Sequence, residues 1–134
     1  MSTTDQAIKA LYDIGERERK KVLGEAHVNK SLAGVSEFAQ AGQELVTAIG
    51  WGAIWSRPGL SHKQRSLASL SILAALGKQT ELSAHVKGAL NNGITEEELK
   101  EVFMQIMVYA GAPAGIEAFR TADAAIKQWK AEHQ

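Results

Sequence analysis

Three observations predict an all-α protein. Only 2 of the 134 residues are proline. The apolar residues recur at intervals of three and four rather than two. Helix-start and helix-stop residues follow one another in the right order along the chain. No stretch reads as a strand.

The first helix is expected from about Thr4 to Leu23, with Ile8, Leu11, Tyr12 and Val22 as its apolar points; the charged run from Glu16 to Lys21 reads as a mostly solvated face. Gly24 ends it. A second helix is expected from about Leu32 to Ile49, carrying Val35, Phe38, Leu45, Val46 and Ile49. Gly42 interrupts it, at a cost of about 1 kcal/mol relative to alanine. Residues 51–60 follow, WGAIWSRPGL, which hold two of the chain's three tryptophans. Proline disfavours the helical conformation in the residue before it, so Arg57 should be extended, and Pro58-Gly59 marks a stiff turn.

Ser61 and Gln64 fit a capping box, in which each side chain satisfies a backbone N–H of the other's end of the first turn. The helix they open, about His62 to Leu76, is apolar on nearly every side after Arg65, which predicts burial all round. Gly77 is placed as its C-terminal cap. A helix from Thr80 to about Asn92 carries Leu82, Val86, Ala89 and Leu90 as one stripe. Thr95 and Glu98 form a second capping box, opening a helix that stops near Gly111-Ala112-Pro113. A last helix runs from about Pro113 to the C-terminus. Several of these helices are too apolar for a chain this short to cover, which predicts packing of subunits on one another.

Length favours one domain over 1–134. Fifteen basic and fifteen acidic residues give zero formal net charge, so the chain as a whole offers no electrostatic footprint for nucleic acid. No apolar run is long enough to span a membrane, and the first residues lack the order of a signal peptide. A cytoplasmic protein is expected. The absence of cysteine excludes disulfides, thiolate metal sites and thiol redox chemistry.

His85 lies three residues after Leu82 and four before Ala89, at the margin of the apolar stripe. It reads either as a hydrogen-bonded core histidine or as a proton-transfer group, since its ordinary pKa of about 6.5 suits that chemistry at neutral pH. Arg57 and Arg65 flank the Pro-Gly turn. Each reads as a salt-bridge or surface charge, or as a bidentate anchor for a carboxylate. Trp51 and Trp55 are spaced to meet if their segment is helical, as core or interface packing or as a pocket wall. The other histidines, His27, His62 and His133, show no metal-ligand spacing. Ser61 and Thr95 read as caps rather than nucleophiles.

From Leu23 onward the chain resembles the carboxymuconolactone decarboxylase family. The resemblance is carried by LGEAHVNKSL (23–32), QELV (43–46), WGAIWSRPGL (51–60), Arg65-Ser66-Leu67, ALGKQTELSAHVKGALNNGIT (75–95) and YAGAPAGIEAFR (109–120). The Trp-Gly-x-x-Trp-Ser-Arg-Pro-Gly-Leu segment is the most specific of these. The resemblance implies an AhpD-like helical bundle, assembled as a homotrimer or homohexamer. AhpD-like relatives carry Cys-x-x-Cys ahead of a histidine; matched on His85, those positions hold Lys78 and Glu81, so that redox route is closed here. Ala53 stands where relatives often have an acidic residue.

The family's reaction implies a small anionic lactone as substrate and no cofactor: decarboxylation of 4-carboxymuconolactone to 3-oxoadipate enol-lactone in aromatic catabolism. The lactone carbonyl is its own electron sink. On this resemblance His85 becomes the proton donor or oxyanion partner, Arg57 and Arg65 bind carboxylate or oxyanion, and Trp51 and Trp55 form a dry wall. Action on another small lactone or acid, hydrolysis of a lactone, and a catalytically silent helical oligomer are the alternatives.

Overall fold

The structure is a computed structural model that describes residues 1–134, and all of its regular elements are helical. In order they are α1 (Thr3–Leu23), α2 (Glu25–Ala33), α3 (Gln40–Leu45), a π-helical segment (Val46–Trp55), α4 (His62–Ala75), α5 (Gln79–Asn91), α6 (Glu96–Ala110) and α7 (Ala112–Glu132). The chain divides into two compact units, residues 1–60 and 61–134. No helix is long and apolar enough to cross a membrane.

In the first unit α1 opens on a capping box that the sequence reading passed over. Ser2 Oγ accepts the Asp5 N–H at 3.1 Å, and Asp5 Oδ2 accepts the Ser2 N–H at 3.2 Å. The Ser2 hydroxyl, donating to Asp5 Oδ2 at 2.8 Å, and after it the Ser2 N–H hold the Asp5 carboxyl below its ordinary pKa. Gly24 ends α1 as expected: its φ of 93° is open to glycine, and its N–H donates to the Lys20 carbonyl at 2.9 Å. The same glycine's carbonyl accepts the Val28 N–H at 3.1 Å, so α2 starts at once.

The expected second helix, Leu32 to Ile49, is not one helix. α2 ends at Ala33, and the chain restarts through Ser36, whose hydroxyl accepts the Ala39 N–H at 3.2 Å and whose carbonyl accepts the Gln40 N–H at 3.0 Å. A serine that can bond its own downstream backbone competes with continuation of a helix. Phe38, expected to be a core point, sits in this restart and is 96% exposed. Leu45, Val46 and Ile49 are exposed too, because the buried face of the π segment is a different one: Thr47, Ala48, Trp51, Gly52 and Trp55. Those positions repeat every four residues, longer than the α period of about 3.6. Underwinding of the chain into i→i+5 bonding accompanies that longer repeat.

Two glycines let α1 and the π segment meet backbone to backbone. A Cβ on Gly52 would overlap the Leu11 carbonyl oxygen, and one on Gly15 would overlap that of Thr47. Neither neighbour is a flexible side-chain tip, so neither can yield cheaply.

The second unit follows the expected punctuation. Ser61 Oγ accepts the Gln64 N–H at 3.1 Å while Gln64 Oε1 accepts the Ser61 N–H at 2.9 Å. α4 closes in a Schellman motif around Gly77 (φ 72°): Gly77 N–H reaches the Ala74 carbonyl at 3.2 Å and Lys78 N–H the Leu73 carbonyl at 2.9 Å. Gly93 (φ 89°) closes α5 in the same way, with Ile94 N–H on the Ala89 carbonyl at 3.0 Å. Thr95 and Glu98 cap α6 reciprocally, both bonds at 3.1 Å. α5 begins at Gln79, one residue before the expected Thr80.

The core of this unit is built on Leu70, Leu82, Val86, Leu99 and Phe103, all at most 1% exposed, with Phe103 edge-on to Phe119 at 5.6 Å. Buried alanines at 89, 118, 122 and 125 let α5, α6 and α7 close up. The expectation that α4 is buried all round fails within this chain. Only Ser66, Leu70 and Ala74 are buried, while Ile72 and Leu76 are 58% and 65% exposed.

Gly52→Ala should lower the unfolding free energy by the upper end of the about 1–3 kcal/mol typical of overpacking. Gly42→Ala, where an added Cβ meets nothing within 4 Å inside α3, should raise it by about 0.5–1 kcal/mol; urea unfolding of the pair checks both. Glu98 is held below its ordinary value of 4.5, first by the Thr95 N–H and then by Lys63, whose Nζ lies 3.1 Å away. A depressed carboxyl contributes stability above its unfolded pKa and loses it as pH falls through the folded one. Glu98→Gln should therefore flatten the acid limb of the melting-temperature profile below pH 4.5.

Candidate active site

The five residues singled out by sequence divide between the units. Trp51, Trp55 and Arg57 belong to the first, and Arg65 and His85 to the second. Their local settings differ.

Trp51 and Trp55 do meet. Their rings stack with centroids 4.6 Å apart and planes at 24°, and they are 5% and 8% exposed. Val22 and Leu23, from the last turn of α1, pack against the pair. The close glycine approach of α1 and the π segment sets how near these indoles come to α1. The result is a rigid apolar slab with large contact area and few rotatable bonds.

Arg57 lies just beyond the π segment, exposed, its backbone N–H donating to the Ile54 carbonyl at 3.0 Å. Ser56 Oγ donates to the Gly52 carbonyl at 2.5 Å and ties the end of the segment to its own last turn. Residues 51–55 thus belong to the π segment, and this bond ties its end ahead of the Pro58-Gly59 turn.

In the second unit α4 and α5 carry Arg65 and His85, both half-buried. His85 stands between Leu82 and Val86, each fully buried, which fixes its helix face against the core. Arg65 precedes the fully buried Ser66. Asn92 Nδ2 donates to Ser66 Oγ at 2.8 Å and to the His62 carbonyl at 3.4 Å, so the first turn of α4 is tied to the end of α5. That tie sets the register of the helix bearing Arg65 against the helix bearing His85.

One residue escaped the sequence reading. Arg19, in the run read as mostly solvated, is 9% exposed. Its Nη1 donates to Gln43 Oε1 at 3.0 Å and to Thr47 Oγ1 at 3.1 Å. Burial pushes its pKa down, with Tyr12 acting weakly the other way. Its spacing was the available signal: Gly15, Arg19 and Val22 fall on one helical face, and all three are buried.

Comparison with known proteins agrees with this architecture. The family model described as the carboxymuconolactone decarboxylase family matches residues 40–124. The nitrosuccinic acid decarboxylase of Metarhizium robertsii is 43% identical over 117 residues, covering 87% of this chain and 82% of that protein. The 4-carboxymuconolactone decarboxylase of Acinetobacter baylyi is 42% identical over 116 residues, covering 87% of each. Both relatives are decarboxylases, and the chain is a carboxy-lyase.

The stacked pair yields a spectroscopic prediction. Two indoles in this geometry should couple as an exciton pair, giving a far-ultraviolet circular dichroism couplet that Trp51→Phe or Trp55→Phe removes. Trp129→Phe should leave the couplet in place, since that ring stacks on His133.

With a family match across residues 40–124 and two relatives above 40% identity over 87% of its length, the chain belongs to the carboxymuconolactone decarboxylase family.

Proposed function

We propose that the protein decarboxylates 4-carboxymuconolactone to 3-oxoadipate enol-lactone without a cofactor. The observation that carries this reading is the 42% identity to a 4-carboxymuconolactone decarboxylase over 87% of the chain. Loss of CO2 from the ring carbon leaves an electron pair, which moves through the ring double bond onto the lactone carbonyl. The resulting furan-like enolate needs one proton on carbon to become the enol-lactone.

Three tasks therefore fall to the protein: holding carboxylates, stabilising the oxyanion and delivering the proton. His85 is the proposed proton donor or oxyanion partner, since a histidine exchanges protons readily at neutral pH. Arg57 and Arg65 are the proposed binders of carboxylate or oxyanion, through the fixed fork of the guanidinium. Trp51 and Trp55 are the proposed dry wall, for which their stacking and burial give support. An apolar wall strengthens the few directed interactions beside it.

A second reading rests on the 43% identity to a nitrosuccinic acid decarboxylase. A carboxyl group on a nitro-bearing carbon has the same logic: departure of CO2 leaves a nitronate, and the nitro group takes the charge as the lactone carbonyl does. The same three tasks recur.

The exposed apolar residues of both units, among them Phe38, Ile72, Leu76 and Val108, support assembly of copies of the chain. A homotrimer or homohexamer is proposed, acting in the cytoplasm.

The test supplies 4-carboxymuconolactone by cycloisomerisation of 3-carboxymuconate in place, and in parallel nitrosuccinate, and follows CO2 release by wild type and His85→Ala. Lactone turnover that falls about 10²–10⁴-fold in the variant is expected, the range of one general acid or base. Turnover of nitrosuccinate alone would select the second reading. Equal rates in wild type and variant would remove His85 from the mechanism.

A further inference from the structure

We propose that Arg19 is a carboxylate-binding residue, whose buried guanidinium pairs with a carboxylate of the substrate. The inference rests on the reading above that the substrate is a small carboxylated molecule, and it concerns a residue to which that reading gives no role.

Arg19 is more than nine-tenths buried, yet both of its hydrogen-bond acceptors are neutral: the Gln43 amide oxygen and the Thr47 hydroxyl. A guanidinium keeps its charge at any ordinary pH. Buried charges are normally paired, because desolvating an ion without a partner is expensive. The chain has fifteen acidic residues, and none of them hydrogen-bonds to this one. Had the residue only to tie α1 to α3 and the π segment, a neutral donor would suffice at lower cost.

The geometry of the donors points the same way. Nη1 serves both neutral acceptors, while the buried Nε has no hydrogen-bond partner. Nε and Nη2 form the side of the guanidinium fork that fits a carboxylate with two parallel bonds. Location agrees as well. Thr47 stands one turn before Trp51 on the buried face of the π segment, and Val22, which packs against the indole pair, stands one turn after Arg19 on α1. Arg19 and the tryptophans thus share one seam, a cation beside an apolar slab.

The test uses succinate and its monoamide, succinamate, as non-reacting probes that differ by one carboxylate. Titration calorimetry on the wild-type protein should give tighter binding of succinate. In Arg19→Met that preference should shrink, with succinate affinity reduced on the order of 100-fold, as for loss of one member of a buried charge pair. Arg19→Lys, which keeps the charge without the fork, should fall between. A residue with a purely structural role could weaken both probes together but would leave their ratio unchanged.

Persistence of the wild-type ratio in a folded Arg19→Met, or failure of the wild type to distinguish the probes, overturns the proposal. Should Arg19→Met not fold, the Nε–H resonance of Arg19 in wild-type protein made with labelled arginine reads the same contact. It should shift with succinate, and a stationary signal overturns the proposal. Loss of all decarboxylase turnover in the wild type would strike the functional reading, whereas the probe ratio reads Arg19 by itself.

Discussion

The backbone approach of α1 and the π segment is the constraint on which the first unit depends. Gly15 and Gly52 each leave room for a carbonyl oxygen of the opposite segment, and any side chain at either position would force the two apart. Three consequences follow from that closeness. Thr47 comes within reach of Arg19, Trp51 and Trp55 come under Val22 and Leu23, and the buried face of the π segment is set at positions 47, 48, 51, 52 and 55. A widened helix of small residues serves this purpose because its backbone is what must be approached. The bulky residues on that face are the two tryptophans, buried under Val22 and Leu23 from the last turn of α1.

The second unit is organised differently, by ends rather than by a seam. Two reciprocal capping boxes start α4 and α6, and two Schellman turns stop α4 and α5. Each reciprocal cap satisfies backbone N–H groups that the first turn of a helix leaves without partners, at about 1 kcal/mol apiece. Fixed ends fix the phase of each helix. His85 is therefore held between Leu82 and Val86 not by its own bonds alone but by where Gly93 and Lys78 make α5 end and begin.

How legible this was in the sequence depends on the kind of signal. Caps are local chemistry: Ser61 with Gln64, Thr95 with Glu98, and glycines at 24, 77 and 111 were all readable because the partners lie within a few residues. The stacking of Trp51 on Trp55 was readable as a spacing. The break of the expected Leu32–Ile49 helix was not, since it turns on Ser36 bonding its own backbone, and neither was the π register, since underwinding moves the buried face off the α pattern. Arg19 was hidden by its neighbours. In a run of six charged residues, from Glu16 to Lys21, composition argues for solvent, and the opposing signal, the helical spacing of Arg19 with Gly15 and Val22, is weak until Thr47 is seen to receive its hydrogen bond.

The two buried features of the seam make opposite demands on the protein. The tryptophan slab stabilises by removing apolar area from water, whereas Arg19 costs stability by surrendering its hydration to two neutral acceptors. Placing them in one seam is physically coherent with the proposed binding of a carboxylate by Arg19. The same low-dielectric surroundings that make the isolated cation expensive also make its pairing with an arriving anion strong. A solvated arginine on the opposite face of α1 would be cheaper to maintain and would bind weakly. The preorganisation is done in the folded chain: Gln43 and Thr47 hold one nitrogen of the guanidinium, which fixes its plane before any ligand arrives. What the fold spends in desolvating Arg19 is recovered only when a negative charge enters.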